Sequence, residues 1–168
     1  MLNKRYLPSM SQYGIFVAFL LLIVLMAVLS PAFLKLTNIT NILRQTSING
    51  IVAVGMTFVI ITGGIDLSVG SVLALAAVVA TSFAHPGDYP VIIPVIAGLV
   101  TGAVCGLVNG FIIAKRKIAP FIVTLGMMTI ARGAALVFTN GRPVIELSDS
   151  YNKIGGSNFL GIPIAVII

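Results

Sequence analysis

ITGGIDLSVGS, residues 61–71, interrupts a chain that otherwise avoids charge. Apolar runs flank it on both sides, NGIVAVGMTFVI (Asn49 to Ile60) and VLALAAVVATSFA (Val72 to Ala84). Two adjacent glycines, an acid and two serines between such runs read as a tight turn joining two helices. Gly63-Gly64 ends the first helix, because glycine accepts the left-handed conformation at a C-cap. Asp66 or Ser68 caps the second by accepting hydrogen bonds from its free N–H groups, where the helix dipole also favours a negative charge. Two readings of Asp66 stand. It is a helix cap in a cytoplasmic turn, or its charge couples that turn to movement of the neighbouring helices.

Composition decides what surrounds these helices. Of 168 residues, 58% are hydrophobic and 8% charged. A soluble domain carries about 25% charged residues, because its surface faces water. This chain has too few charges for such a surface, so lipid is its main solvent. The net charge of +6 would suggest nucleic acid in a soluble protein. Here the basic residues sit at the ends of apolar segments, where they set membrane orientation, and no nucleic-acid partner is expected. A lone Cys105 in an apolar run excludes a disulfide framework and a cysteine-rich metal site, and reads as a small packing residue.

A bilayer core about 30 Å thick needs roughly 20 apolar residues in a helix. Gly14 to Phe33 satisfies this without a charge. It is long for the apolar core of a signal peptide, about 7–15 residues, and no clean small-x-small site ends it, so it reads as an uncleaved anchor. Further spans run from about Gln45 to Thr62, Ser68 to Ala84, Val91 to Ala114 and Pro120 to Thr139. AHPGDYP (Ala84 to Pro90) is a turn, and NGRPVIELSDSYNKIGGSN (Asn140 to Asn158) is a polar loop. GIPIAVII then starts a sixth apolar run that stops at Ile168. The fold expected is all-α: a polytopic membrane helix bundle of five spans plus the start of a sixth, over residues 1–168, cut in mid-span.

Orientation follows from lysine and arginine in short loops. Lys4 and Arg5 place the N-terminus in the cytoplasm, and four spans later Lys115-Arg116-Lys117 is cytoplasmic again. Lys35, Arg44, Arg142 and Lys153 fall outside and weaken the bias without reversing it. Asn38-Ile39-Thr40 matches a glycosylation sequon, and Asn38 reads better as an N-cap opening a short helix into the second span.

The fourth span contains GLVTGAVCGLVNG, in which Gly98, Gly102, Gly106 and Gly110 recur every four residues. Small residues at that spacing make a face where another helix backbone approaches closely. Ala76, Ala80 and Ala84 repeat the pattern more weakly in the third span.

The same residues carry a family resemblance. AVGMTFVIITGGIDLSVGSVLAL (Ala53 to Leu75) resembles the signature of permease subunits of bacterial ribose-type sugar ABC transporters. SPAFL and NITNILRQTS before the second span, GLVNGFIIAKRKIAPFIVTLGMMTIARG (Gly106 to Gly133) and VFTNGRPV (Val137 to Val144) fit the same family, in order. The resemblance implies a bacterial inner-membrane subunit, with no cofactor of its own, that forms half of a translocation pathway for a monosaccharide. It implies a second permease subunit, identical or related, and a cytoplasmic ATPase. A periplasmic or lipid-anchored sugar-binding protein completes the set. Only the first half of such a permease is matched, and the loop that grips the ATPase belongs to the other half. Nucleoside and signalling-sugar permeases share the pattern.

A neutral sugar needs groups that match hydroxyls along its route. Asn49, Thr57, Thr62, Asn109, Thr124 and Thr129 lie within spans, although each also serves to bond another helix or its own backbone. A permease that receives its cargo from a binding protein need not hold it tightly, so a well-formed sugar pocket is not expected. Arg132, inside the fifth apolar run, has three readings: snorkelling to the outer interface, lining a watery cavity, or pairing with Asp66. An ATP-independent secondary transporter would favour paired intramembrane acids, and Asp66 is the one acid near a span. An intramembrane enzyme would need a catalytic constellation that the lone His85 does not supply. A non-transporting scaffold is the third alternative.

Overall fold

The computed structural model describes residues 10–87, 89–159 and 162–167. Lys4, Arg5 and Asp88, on which part of the orientation reading leans, lie outside the described residues, as do Gly161 and Ile168. The described elements are α1 (Met10–Leu29), α2 (Leu36–Ile61), α3 (Val69–Ser82), α4 (Ile92–Arg116), α5 (Pro120–Thr139), α6 (Asp149–Gly156), β1 (Asn158–Phe159), β2 (Ile162–Pro163) and α7 (Ile164–Ile167). The architecture is helical apart from the ladder of β1 with β2, antiparallel and two residues long.

Among the described residues, α2, α4 and α5 are long and apolar enough to cross a membrane. The apolar part of α1 (Tyr13–Leu29) and the whole of α3 are shorter. With 14 residues, α3 rises about 21 Å, well under the hydrocarbon thickness of about 30 Å.

Contacts divide the chain into two units, residues 1–45 and 46–168. In the first, the Pro31–Lys35 turn joins α1 to the start of α2. It is closed by Phe33 N–H donating to Ser30 O and Lys35 N–H donating to Ala32 O. The second helix begins at Leu36, ahead of Asn38. Asn38 is therefore not its cap; the side-chain amide donates back to Phe33 O at 2.8 Å.

In the second unit α3 packs against both α4 and α5, and α4 packs on α5. The buried residues of these helices are small or weakly polar: Ser71 and Ala80 from α3, Pro94, Cys105 and Asn109 from α4, Thr124, Ala131 and Ala135 from α5, with Ala84 just beyond α3. Large side chains such as Leu99, Leu107, Phe111, Ile130 and Val137 point outward. Lipid rewards this inversion. It solvates large apolar groups as well as a protein core would, so helices gain by bringing small faces into close contact.

The four glycines of α4 do not share one environment. A Cβ on Gly98 would meet Ala80 Cβ at 3.3 Å and Ala76 O at 3.4 Å, whereas one on Gly102, Gly106 or Gly110 would meet nothing within 4 Å. Helix geometry explains the difference. Each residue turns about 100°, so a four-residue step overshoots a full turn by about 40° and three steps drift by about 120°. The stripe begins at the α3 contact and winds away from it.

Gly98→Val should therefore overpack the α3–α4 contact and lower stability by about 1–3 kcal/mol, while Leu107→Ala on the lipid side should change it by less than about 0.5 kcal/mol. Unfolding titrations in mixed detergent micelles compare the two. Equal midpoints would remove this contact from the account of stability.

Candidate functional site

The site grows from the end of α2. Gly63 adopts φ 74°, Gly64 N–H donates to Val59 O at 3.0 Å, and Gly63 N–H donates to Ile60 O at 2.9 Å. These paired bonds form a Schellman closure, which satisfies two of the last carbonyls of α2. Gly64 is needed for a second reason: a Cβ there would lie 3.3 Å from both Val59 O and Val59 Cγ1. The chain then runs without helical structure through residues 64–68 and re-enters a helix at Val69.

This segment does not lie at the level where α4 and α5 end. Thr124 Oγ donates to Ile65 O at 3.1 Å, four residues into α5, or about 6 Å along its axis. Asn109 Nδ2 donates to Ser68 Oγ at 3.2 Å, seven residues before the end of α4, or about 10 Å. Both helices thus hold the turn inside the bundle.

Asp66 orders the local network. Its Oδ1 accepts from Ser68 N–H at 2.7 Å and from Ser68 Oγ–H at 2.6 Å, which ties down an amide at the start of α3. A carboxylate has no proton to give, so the single hydroxyl proton of Ser68 is committed to Asp66. The Ser68 oxygen can then only accept, and Asn109 must turn its amide nitrogen toward it. The orientation of Asn109 is fixed, and its carbonyl oxygen is left over. That Oδ1 is buried and has no hydrogen-bond partner among the described residues, although Asn109 as a whole is only 6% exposed. An unsatisfied buried acceptor of this kind costs about 1–3 kcal/mol.

Beside it lies a groove of about 350 Å³. Its walls include Thr62, Asp66, Gly106, Asn109, Gly110 and Thr124, so the glycines that drift away from α3 form one wall. A smaller groove of about 200 Å³ adjoins on the α3 side, shared by Asp66, Ser68, Gly102, Gly106 and Asn109.

The other polar residues singled out in the spans sit elsewhere. Asn49 is exposed on α2. Thr57 Oγ donates to Ala53 O and Thr129 Oγ to Gly126 O, each within its own helix. Thr62 Oγ likewise donates to Val59 O. Arg132 is exposed on α5 next to the fully buried Ala131, and the Asp66 carboxylate is engaged with Ser68 instead. Of the five positions Asn49, Thr57, Asn109, Thr129 and Arg132, the structure thus brings Asn109 alone to the turn. The sequence reading did not foresee the Ser68–Asn109 bond. The available signal was that Asn109 is the one amide side chain in α4, set between two glycines.

Asp66→Ala should free the Ser68 hydroxyl and lower stability by about 1–2 kcal/mol, while Asp66→Asn, which keeps an acceptor for both Ser68 protons, should lose less than about 1 kcal/mol. Denaturant titrations of matched preparations test this. Equal losses for the two variants would show that the carboxylate's charge, not its acceptor geometry, holds the turn.

Comparison with known proteins adds a second line of observation. A protein family described as "Branched-chain amino acid transport system / permease component" matches residues 38–164. The chain is 49% identical over 160 residues to the ribose import permease protein RbsC of Bacillus subtilis, covering 94% of this chain and 49% of that protein. It is 37% identical over 152 residues to the L-arabinose ABC transporter permease protein AraH of Azospirillum brasilense, covering 90% and 44%. It is 41% identical over 126 residues to the xylose transport system permease protein XylH of Escherichia coli, covering 75% and 32%. The chain thus spans about half, or less, of the length of these relatives. No solved structure gives a significant match.

Proposed function

Because the chain belongs to the family of branched-chain amino acid transport system permease components, a family of multi-pass membrane proteins, we propose that it forms part of the translocation pathway of a binding-protein-dependent ABC importer for a pentose. The observation that carries the substrate class is that permeases named for ribose, L-arabinose and xylose align across most of the chain. All three sugars are neutral five-carbon polyols. The groove offers such sugars neutral polar groups, the side chains of Thr62, Asn109 and Thr124, and none of its lining residues is basic.

In this reading the chain contributes the N-terminal half of one membrane domain in the bacterial inner membrane. α1 to α5 are five spans, and α7 belongs to the start of a sixth. The N-terminus and Lys115-Arg116-Lys117 face the cytoplasm. ATP hydrolysis belongs to a separate subunit docked there, a second permease subunit completes the pathway, and a periplasmic or lipid-anchored binding protein delivers the sugar. The short α3 and the non-helical turn before it resemble the discontinuous helices that transporters place at their pathways, where irregular backbone is tolerated because protein or water covers it.

Proteoliposomes containing a full-length permease whose N-terminal half is this chain, with its ATPase and binding protein, should accumulate radiolabelled ribose when ATP is supplied. Accumulation of leucine without ribose, or of ribose without ATP, would overturn the assignment.

Topology has its own check. A cysteine replacing Arg116, in a Cys105→Ala background, should resist membrane-impermeant maleimide in intact cells and react after permeabilisation. Reaction in intact cells would invert the topology. In the same transporter, Asp66→Asn should insert normally; loss of uptake at matched expression would assign the charge a part in gating, and full uptake would leave Asp66 as a cap.

A further inference from the structure

Asn109 Oδ1 is a buried acceptor that no described residue satisfies. The Asp66–Ser68–Asn109 chain of donors fixes this oxygen as an acceptor with nothing to accept. The residue holding it is 6% exposed. It stands in the wall of the groove that Gly106 and Gly110 keep open. A Cβ at either glycine would meet nothing within 4 Å, so no described helix occupies the space the glycines leave.

We propose that Asn109 is a sugar-facing station in this groove, with Oδ1 accepting a hydrogen bond from a hydroxyl of an aldopentose. The inference rests on the pentose-pathway reading above and names the residue and atom within it. The chemistry of the occupant follows from what the site lacks. The free group is a neutral acceptor, so the ligand must donate, and an aldopentose offers several hydroxyl donors around one small ring. No lining residue supplies a cation, which excludes an anionic ligand as the intended guest. The groove, about 350 Å³, is at the small end of ligand sites, roughly 300–1,000 Å³, and suits a monosaccharide rather than a chain of them. Oδ1 is sealed from solvent in this conformation, so a hydroxyl reaches it only in a wider arrangement of the groove walls. Binding at this atom therefore favours the wider arrangement. One unpaired acceptor makes a weak station, which suits a cargo that must also leave.

The competing occupant is a helix of another polypeptide, carrying its own donor against the glycine wall. The two are separated with the full chain in lipid nanodiscs, in a Cys105→Ala background carrying Gly110→Cys. The alkylation rate of this cysteine by N-ethylmaleimide is followed by mass spectrometry. D-Ribose should slow alkylation about fivefold at about four times its Kd, the factor 1 + [L]/Kd. Per-O-methylated riboside, which keeps the ring but has no hydroxyl to donate, should not slow it. Asn109→Ala should abolish the effect of ribose, and Thr129→Ala, whose hydroxyl is bonded within its own helix, should retain it.

The ligand comparison does not depend on either variant folding. No slowing by ribose, or equal slowing by the methylated riboside, overturns the station. A cysteine at 110 that is inert before sugar is added shows a groove closed to water-borne ligands and overturns the station. Ribose uptake by the assembled transporter that persists without any slowing here removes the station and leaves the pathway reading intact. Slowing in the nanodiscs without uptake by the transporter does the reverse.

Discussion

Asp66 accepts both protons that Ser68 has to give, and the order of the surrounding bundle depends on that commitment. Once the hydroxyl is spoken for, its oxygen can receive only a donor, and the donor is the amide of α4. Two segments far apart in sequence, the turn and α4, are thus joined by a directional chain in which the Ser68 hydroxyl proton has one possible place. In a low-dielectric setting such a chain is stronger than in water, and an error in it is correspondingly expensive. The bundle tolerates a break between α2 and α3 because these bonds, with Thr124 on the carbonyl of Ile65, replace some of those that a continuous helix would have made.

Around this polar knot the packing is built from what is absent. Alanine, serine, threonine and glycine let α3, α4 and α5 approach, while leucine, isoleucine and phenylalanine face outward. Gly98 shows the closest approach, with Ala80 and Ala76 O at contact distance of a missing methyl group. Further along α4 the same residue type does the opposite and leaves a groove open. Glycine has no fixed meaning in this helix; its angle about the axis decides whether it makes a contact or a space.

Much of the helical architecture was legible in the sequence. The apolar runs and their breakers located α3, α4 and α5 to within a few residues, because lipid demands long uninterrupted stretches and glycine or proline punctuates them. Gly63-Gly64 was legible as a helix end, since a left-handed residue followed by a close backbone approach leaves few alternatives. The start of α2 was legible only in part: Asn38 reads as the cap of a short helix leading into the span, whereas the helix begins at Leu36 and runs on without a break. Nor could the pattern rank Asn109 above Asn49, Thr57 or Thr129. All are polar residues in apolar helices, and only the rotation of α4 against the turn gives one of them a partner outside its own helix. The drift of the glycine stripe was hidden for the same reason: four-residue spacing looks like a face over two turns and becomes a spiral over four.

The far end of α3 is held by a residue that lies much later in the chain. Ser148 N–H donates to Ala84 O at 2.8 Å, and Ala84 is only 1% exposed. With the bonds to Asn109 and the Thr124–Ile65 bond at the other end, α3 is pinned at both termini by partners synthesised after it. A rod about 21 Å long is too short to settle across the bilayer alone, and its final anchor emerges only when α4 and α5 are complete. The bonds that hold both ends of α3 therefore cannot form until the chain through Ser148 has been made, so this short helix is the last of the three to gain its full set of partners.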